Sequence, residues 1–174
     1  MATANTNAPF GLKPIQTIGG GLPVAVPRKK DASANIIYQY APVILEADGN
    51  IAPATDATVP VIGVAAHHSA TATAETVMIY PAFNHLFEVQ CNTSGTVNQT
   101  NIGHNASLVF TAGSAVTKLS KAQIISTSLS TTNNIVRVVD IINRTDNTPG
   151  GSFLKVAAAF NLHRWPSGAG QAGI

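Results

Sequence analysis

Charge is scarce in this sequence. Asp, Glu, Lys and Arg make up 10% of it, well below the roughly 25% of an ordinary soluble domain. Between Asp31 and Thr117 there is no Lys or Arg at all. The net charge is +2, and the one basic cluster is Arg28-Lys29-Lys30. A nucleic-acid partner requires many more clustered cations, so direct nucleic-acid binding is not expected and the triplet reads as a solvated loop. Cysteine is almost absent too. Cys91 stands alone, which excludes an intramolecular disulfide and a cysteine-based metal site. With Phe87 and Val89 on the same strand face, it reads as a small buried hydrophobe. No run approaches the ~18 apolar residues of a membrane helix, and Met1 to Pro9 lacks the apolar stretch of a secretory signal. The expectation is a chain made and kept in a cytosol, with no membrane partner.

Residues that do chemistry are thinly spread. The eight acidic residues are dispersed, with no two at a spacing that suggests a paired-carboxylate site. His67 and His68 are adjacent, so on a strand they face opposite ways. His85, His104 and His163 lack a ligand-like spacing. There is no G-x-S-x-G elbow, and Gly19-Gly20-Gly21 is followed by no phosphate-loop signature, so it reads as a hinge. Glu88 reads as outward-facing. Asp140 lies in an apolar strand, where a buried carboxylate needs a cation; Arg144 or Arg137 would supply one in a structural ion pair. The sequence therefore predicts no enzyme: no catalytic residue, no metal and no cofactor.

What is present is apolar and β-branched. Apolar residues are 45% of the chain, and with so little charge this composition implies that neighbours, rather than water, cover much of the surface. Short strands are predicted at Ile36–Tyr40, Val43–Ala47, Val59–Ala66, Thr76–Tyr80, His85–Cys91 and Ser107–Phe110. Asp48-Gly49 marks a hairpin turn, and Gly63 marks a bulge or a close backbone approach. The clearest pair of runs is Asn134–Ile142 and Phe153–Leu162, joined by the turn-rich Asp146-Asn-Thr-Pro-Gly-Gly151. These form a C-terminal β-hairpin, whose first strand is apolar on both faces and so needs cover twice.

The predicted fold is all-β: a small antiparallel β-barrel or sandwich with an extended N-terminal arm, a C-terminal β-hairpin and a flexible tail. The arm covers 1–35, the β-rich domain 36–165 and the tail 166–174. Prolines at 9, 14, 23 and 27 keep the arm out of helices and sheet interiors, yet its apolar residues are too many for a disordered tail. Phe10, Leu12 and Ile15 on the arm, with Phe160, Leu162 and Trp165 near the C-terminus, are the candidate anchors of inter-subunit contacts. Deleting residues 1–18 is then expected to abolish assembly while leaving the β-domain folded.

The order of elements carries a resemblance. Asn7-Ala-Pro-Phe-Gly-Leu12 opens it, followed by Pro42-Val-Ile-Leu45, Asp48-Gly49 and Val61-Ile-Gly-Val-Ala-Ala66. Tyr80-Pro81, Phe87-Glu-Val-Gln90 and Asn101-Ile-Gly-His-Asn-Ala-Ser-Leu108 come next, and Val136-Arg-Val-Val-Asp140 and Phe160-Asn-Leu-His163 close it. Over most of 7–165 the pattern resembles decoration, or cement, proteins of tailed-bacteriophage heads. The resemblance implies a β-rich, non-enzymatic virion protein that binds the major capsid protein from outside and stabilises the shell. It also implies a homo-oligomer, a trimer in preference to a dimer, on the capsid exterior after assembly in the host cytoplasm. Two other readings stand beside it. A self-assembling virion subunit such as a tail-tube protein would form tubes on its own. A carbohydrate-binding β-module would stack sugars on Trp165, Tyr38, Tyr40 and Tyr80.

Overall fold

The computed structural model describes residues 5–32, 35–70, 74–92 and 97–165; the predicted tail, 166–174, lies outside them. Twelve short strands make an all-β fold. One antiparallel sheet takes β1 (Lys13–Thr17), β7 (His85–Gln90), β12 (Lys155–Phe160), β11 (Val136–Ile141) and β8 (Asn105–Ala106), in that order. A second takes β2 (Val26–Lys30), β6 (Glu75–Pro81), β5 (Gly63–Ala65), β3 (Pro42–Leu45) and β4 (Ile51–Pro53). β9 (Leu108–Val109) and β10 (Gln123–Ile124) form a separate two-stranded ladder. Among the described residues, helix is limited to single 3₁₀ turns at Gln99–Asn101 and Ser126–Ser128.

Two cores hold these layers. The larger joins Leu12, Phe87, Val89, Val136, Val138, Val156 and Phe160 of the first sheet and its lead-in to Val61, Val64 and Ala82 of the second. Phe87 and Phe160 meet edge-on, with ring centres 5.5 Å apart, a favoured aromatic geometry. The smaller core gathers Ile37, Val43, Ile51, Val77 and Ile79 on the other side of the second sheet. The edges of that sheet, β2 and β4, approach each other without pairing, so it curls around its own core and no closed barrel forms among the described residues.

The predicted turns and hairpins are present. Gly49 adopts a φ of 84° between β3 and β4. Gly63 makes the close approach expected of it: a Cβ there would stand 2.6 Å from the carbonyl oxygen of Tyr80. β11 and β12 pair from Val136↔Phe160 to Ile141↔Val156. Their long loop is closed by the buried Asn147, whose side chain donates to the carbonyls of Ile142 (2.6 Å) and Lys155 (2.7 Å) and accepts from Lys155 N–H (2.7 Å).

Four expectations are corrected. The predicted arm is largely part of the domain. β1 pairs with β7 and β2 with β6 as edge strands, which is where proline is tolerated, and Leu12 is fully buried. Arg28-Lys29-Lys30 is β2 and not a loop; Lys30 is buried and donates to the carbonyl of Ala70. Glu88 is buried and ion-paired with Arg144. Asp140 is exposed, because a bulge after Val138 shifts the strand. Its carboxylate accepts from the N–H of Ile141, and Arg137 instead donates to Asn105 (3.1 Å).

Candidate interaction surface

Two connections carry the chain from one sheet to the other, and they lie side by side. Residues 18–25 link β1 to β2, and residues 82–84 link β6 to β7. The first is rich in glycine and proline, so it cannot continue either strand. Thr17 ties its start: its N–H donates to the carbonyl of Gly21 (2.8 Å), and its hydroxyl accepts from Gly21 N–H (2.8 Å). Ile18 N–H donates to the carbonyl of Asn84 in the second connection (2.8 Å). Val24 N–H donates to Nε2 of His85 (3.1 Å). The backbone of the corner is thus well satisfied.

Its side chains are not. Ile18, Leu22, Val24 and Phe83 remain 59%, 85%, 63% and 42% exposed. Isolated exposed apolar residues are ordinary; a group of four on two adjoining turns is the kind of exposed patch that can serve as a contact surface. Trp165 borders the group. Its ring centre lies 6.0 Å from that of Phe83, and the Arg28 guanidinium sits 4.9 Å above it, within cation–π range. Its indole N–H donates to the carbonyl of Ile62 (3.1 Å). A hollow of about 340 Å³ separates Trp165, Phe83 and Val24, and the buried Oδ1 of Asn84 beside it has no hydrogen-bond donor within the described residues.

The six candidate anchors divide. Leu12 and Phe160 belong to the chain's own main core, and Leu162 packs half-buried against it. Phe10 lines an open groove of about 580 Å³ with Glu88, Arg144 and Lys155. Ile15 is exposed at a bulge in β1, and Trp165 borders the corner. Ile18, Leu22 and Val24 are among the arm's apolar residues but not among the candidate anchors, and neither is Phe83. The available signal was four large apolar residues beside Gly19–Gly21 and Pro81 with no alternating partner.

Other polar groups are engaged internally. In the groove, Arg144 bridges Glu88 and Asp146, and Lys155 donates to Asp146 (2.7 Å). The hydrogen bond and charge of Lys155 hold the exposed Asp146 carboxyl below its ordinary range. Cys91 is buried, which pushes its thiol up to about 12 and makes it a poor nucleophile. The fold brings Asp31, Glu46 and Asp48 together, with carboxylate oxygens within 4.8 Å of one another, an arrangement their spacing did not announce. Asp48 there caps its own turn, accepting from the backbone (3.0 Å) and side-chain (2.8 Å) nitrogens of Asn50. No family model matches the chain, and no curated protein or solved structure matches it either.

Proposed function

We propose that the chain is a non-enzymatic structural protein of a tailed-phage virion, a decoration protein that seats its apolar corner on the outer surface of the head shell. The observation that carries this reading is the hydrogen-bonded corner whose Ile18, Leu22, Val24 and Phe83 side chains face solvent. Fully burying such a side chain contributes about 1.5–3 kcal/mol. Four of them can offset a substantial part of the roughly 4–15 kcal/mol cost of association. Symmetric repetition over a shell adds avidity, so no single contact needs to be strong. A ligand that binds the assembled shell better than its separated subunits stabilises the shell by mass action. The resemblance of the strand order to decoration proteins points the same way, with the major capsid protein as partner and a homo-oligomer as the assembling unit. The stacking platform of a sugar-binding module has less support, because three of its four rings already meet neighbours: Tyr38 meets His68 and Tyr80 meets His85 edge-on, and Trp165 lies beneath Arg28.

Co-sedimentation with heads of the encoding phage stripped of this protein tests the reading. Wild-type chain should pellet with the heads and raise the temperature at which they release DNA. A Leu22→Ser/Phe83→Ser variant should stay folded and remain in the supernatant. Equal pelleting of the two proteins, or tubes formed by the chain alone, would overturn it.

A further inference from the structure

One of the ties that hold the corner is a histidine whose protonation state is dictated by its partners. His85 is buried, and each ring nitrogen has one neighbour. Nδ1 lies 3.0 Å from the carbonyl oxygen of Pro81. A carbonyl only accepts, so Nδ1 carries the hydrogen. Nε2 lies 3.1 Å from the backbone nitrogen of Val24. A peptide N–H only donates, so Nε2 is the lone-pair acceptor. Both bonds exist together only in the neutral Nδ1–H tautomer. We propose that His85 is a proton-sensitive latch, which fixes the Val24 end of the 18–25 connection while neutral and releases that end when a proton occupies Nε2.

The balance of the step is simple. A proton from solvent takes the Nε2 lone pair, the acceptor for Val24 is lost, and two N–H groups then face each other. Among the described residues the ring has no compensating anion. From β6 it meets the edge of Tyr80, with ring centres 5.8 Å apart. From β2, Arg28 lines the same hollow and lies over the Trp165 ring. No carboxylate lines that hollow among the described residues. From its own strand, Phe87 is apolar, and Thr17, its register partner on β1, carries no charge. Burial accordingly holds the imidazole below its ordinary value of 6.5, against the opposing pull of the Pro81 carbonyl. The end released in acid carries Val24, with Leu22 two residues before it, while Ile18 stays tied to Asn84. That the docking surface would then lose its shape rests on the proposed function; the latch itself does not.

Nitrogen-15 NMR of the free wild-type chain from pH 8 to pH 4.5 tests it. At pH 8 the His85 ring should report the Nδ1–H tautomer. On acidification the Val24 amide should shift with the same midpoint as His85, below 6.5. Its exchange protection factor should fall as pH drops from 6.5 to that midpoint, by at most about tenfold per pH unit, and level off below it. An Nε2–H tautomer at pH 8, or a Val24 amide unmoved through the His85 titration, would overturn the latch.

Discussion

Residues 5–12 and 15–24 belong to one N-terminal stretch of similar composition, yet they are held in opposite ways. In the first, the fully buried Gln90 acts as a surrogate strand. Its side chain donates to the carbonyl of Thr6 (2.8 Å) and accepts from the N–H of Ala8 (3.1 Å). Asn5 exchanges two hydrogen bonds with the backbone of Thr148, and the segment ends with Leu12 in the core. In the second, His85, Asn84 and Thr17 satisfy the backbone just as well, but the large apolar side chains face water. Backbone order alone therefore does not explain why those side chains are apolar. The first segment stabilises this chain; the second leaves its apolar side chains at the surface, where the proposed function seats them on a shell.

Core truncation should produce the largest effect. Leu12→Ala is expected to cost about 2–5 kcal/mol in urea denaturation, as for a buried leucine that leaves a cavity, whereas Leu22→Ala should stay within about 0.5 kcal/mol. Equal costs would erase the contrast. It follows that deleting residues 1–18 unfolds or severely destabilises the domain, contrary to what an independent arm would do; circular dichroism of that deletion decides it. Next in size, Gln90→Ala or Arg144→Ala should each cost roughly 1–3 kcal/mol, because each leaves buried polar partners unsatisfied. The two are separable, since only Gln90→Ala should expose the Ala8 amide to exchange. The smallest effect is that of pH. A folded-state imidazole pKa below the unfolded 6.5 contributes stability that is complete above 6.5 and fades as pH falls through the lowered value. His68 and His163 are lowered as well, each first by burial. A His85→Phe variant should therefore lose part of the acid sensitivity measured by denaturation at pH 7.5 and pH 5, and an unchanged slope would remove His85 from the account.

The sequence made local features legible and left distant ones hidden. The C-terminal hairpin, the Asp48-Gly49 turn, the close approach at Gly63 and the buried Cys91 each depend on neighbouring residues or on backbone geometry encoded in place. The roles of Glu88, Gln90, Lys30 and His85 depend on strands far away in the chain. Glu88 was read as outward because alternation assigns faces without saying what covers them, and here Arg144 covers it. Leu12, Phe160 and Leu162 were legible as important apolar residues. Whether they serve this chain or a neighbour is set by sheet pairing, and pairing between β1 and β7 leaves no periodic signal. The apolar corner escaped for the same reason, since its two turns meet only once both sheets exist.

Hydrogen exchange of the chain free and bound to phage heads, read by mass spectrometry, tests the central claim most directly. The account predicts new protection concentrated in residues 15–24 and 82–84. Protection elsewhere, or none in the head-bound chain, would contradict it.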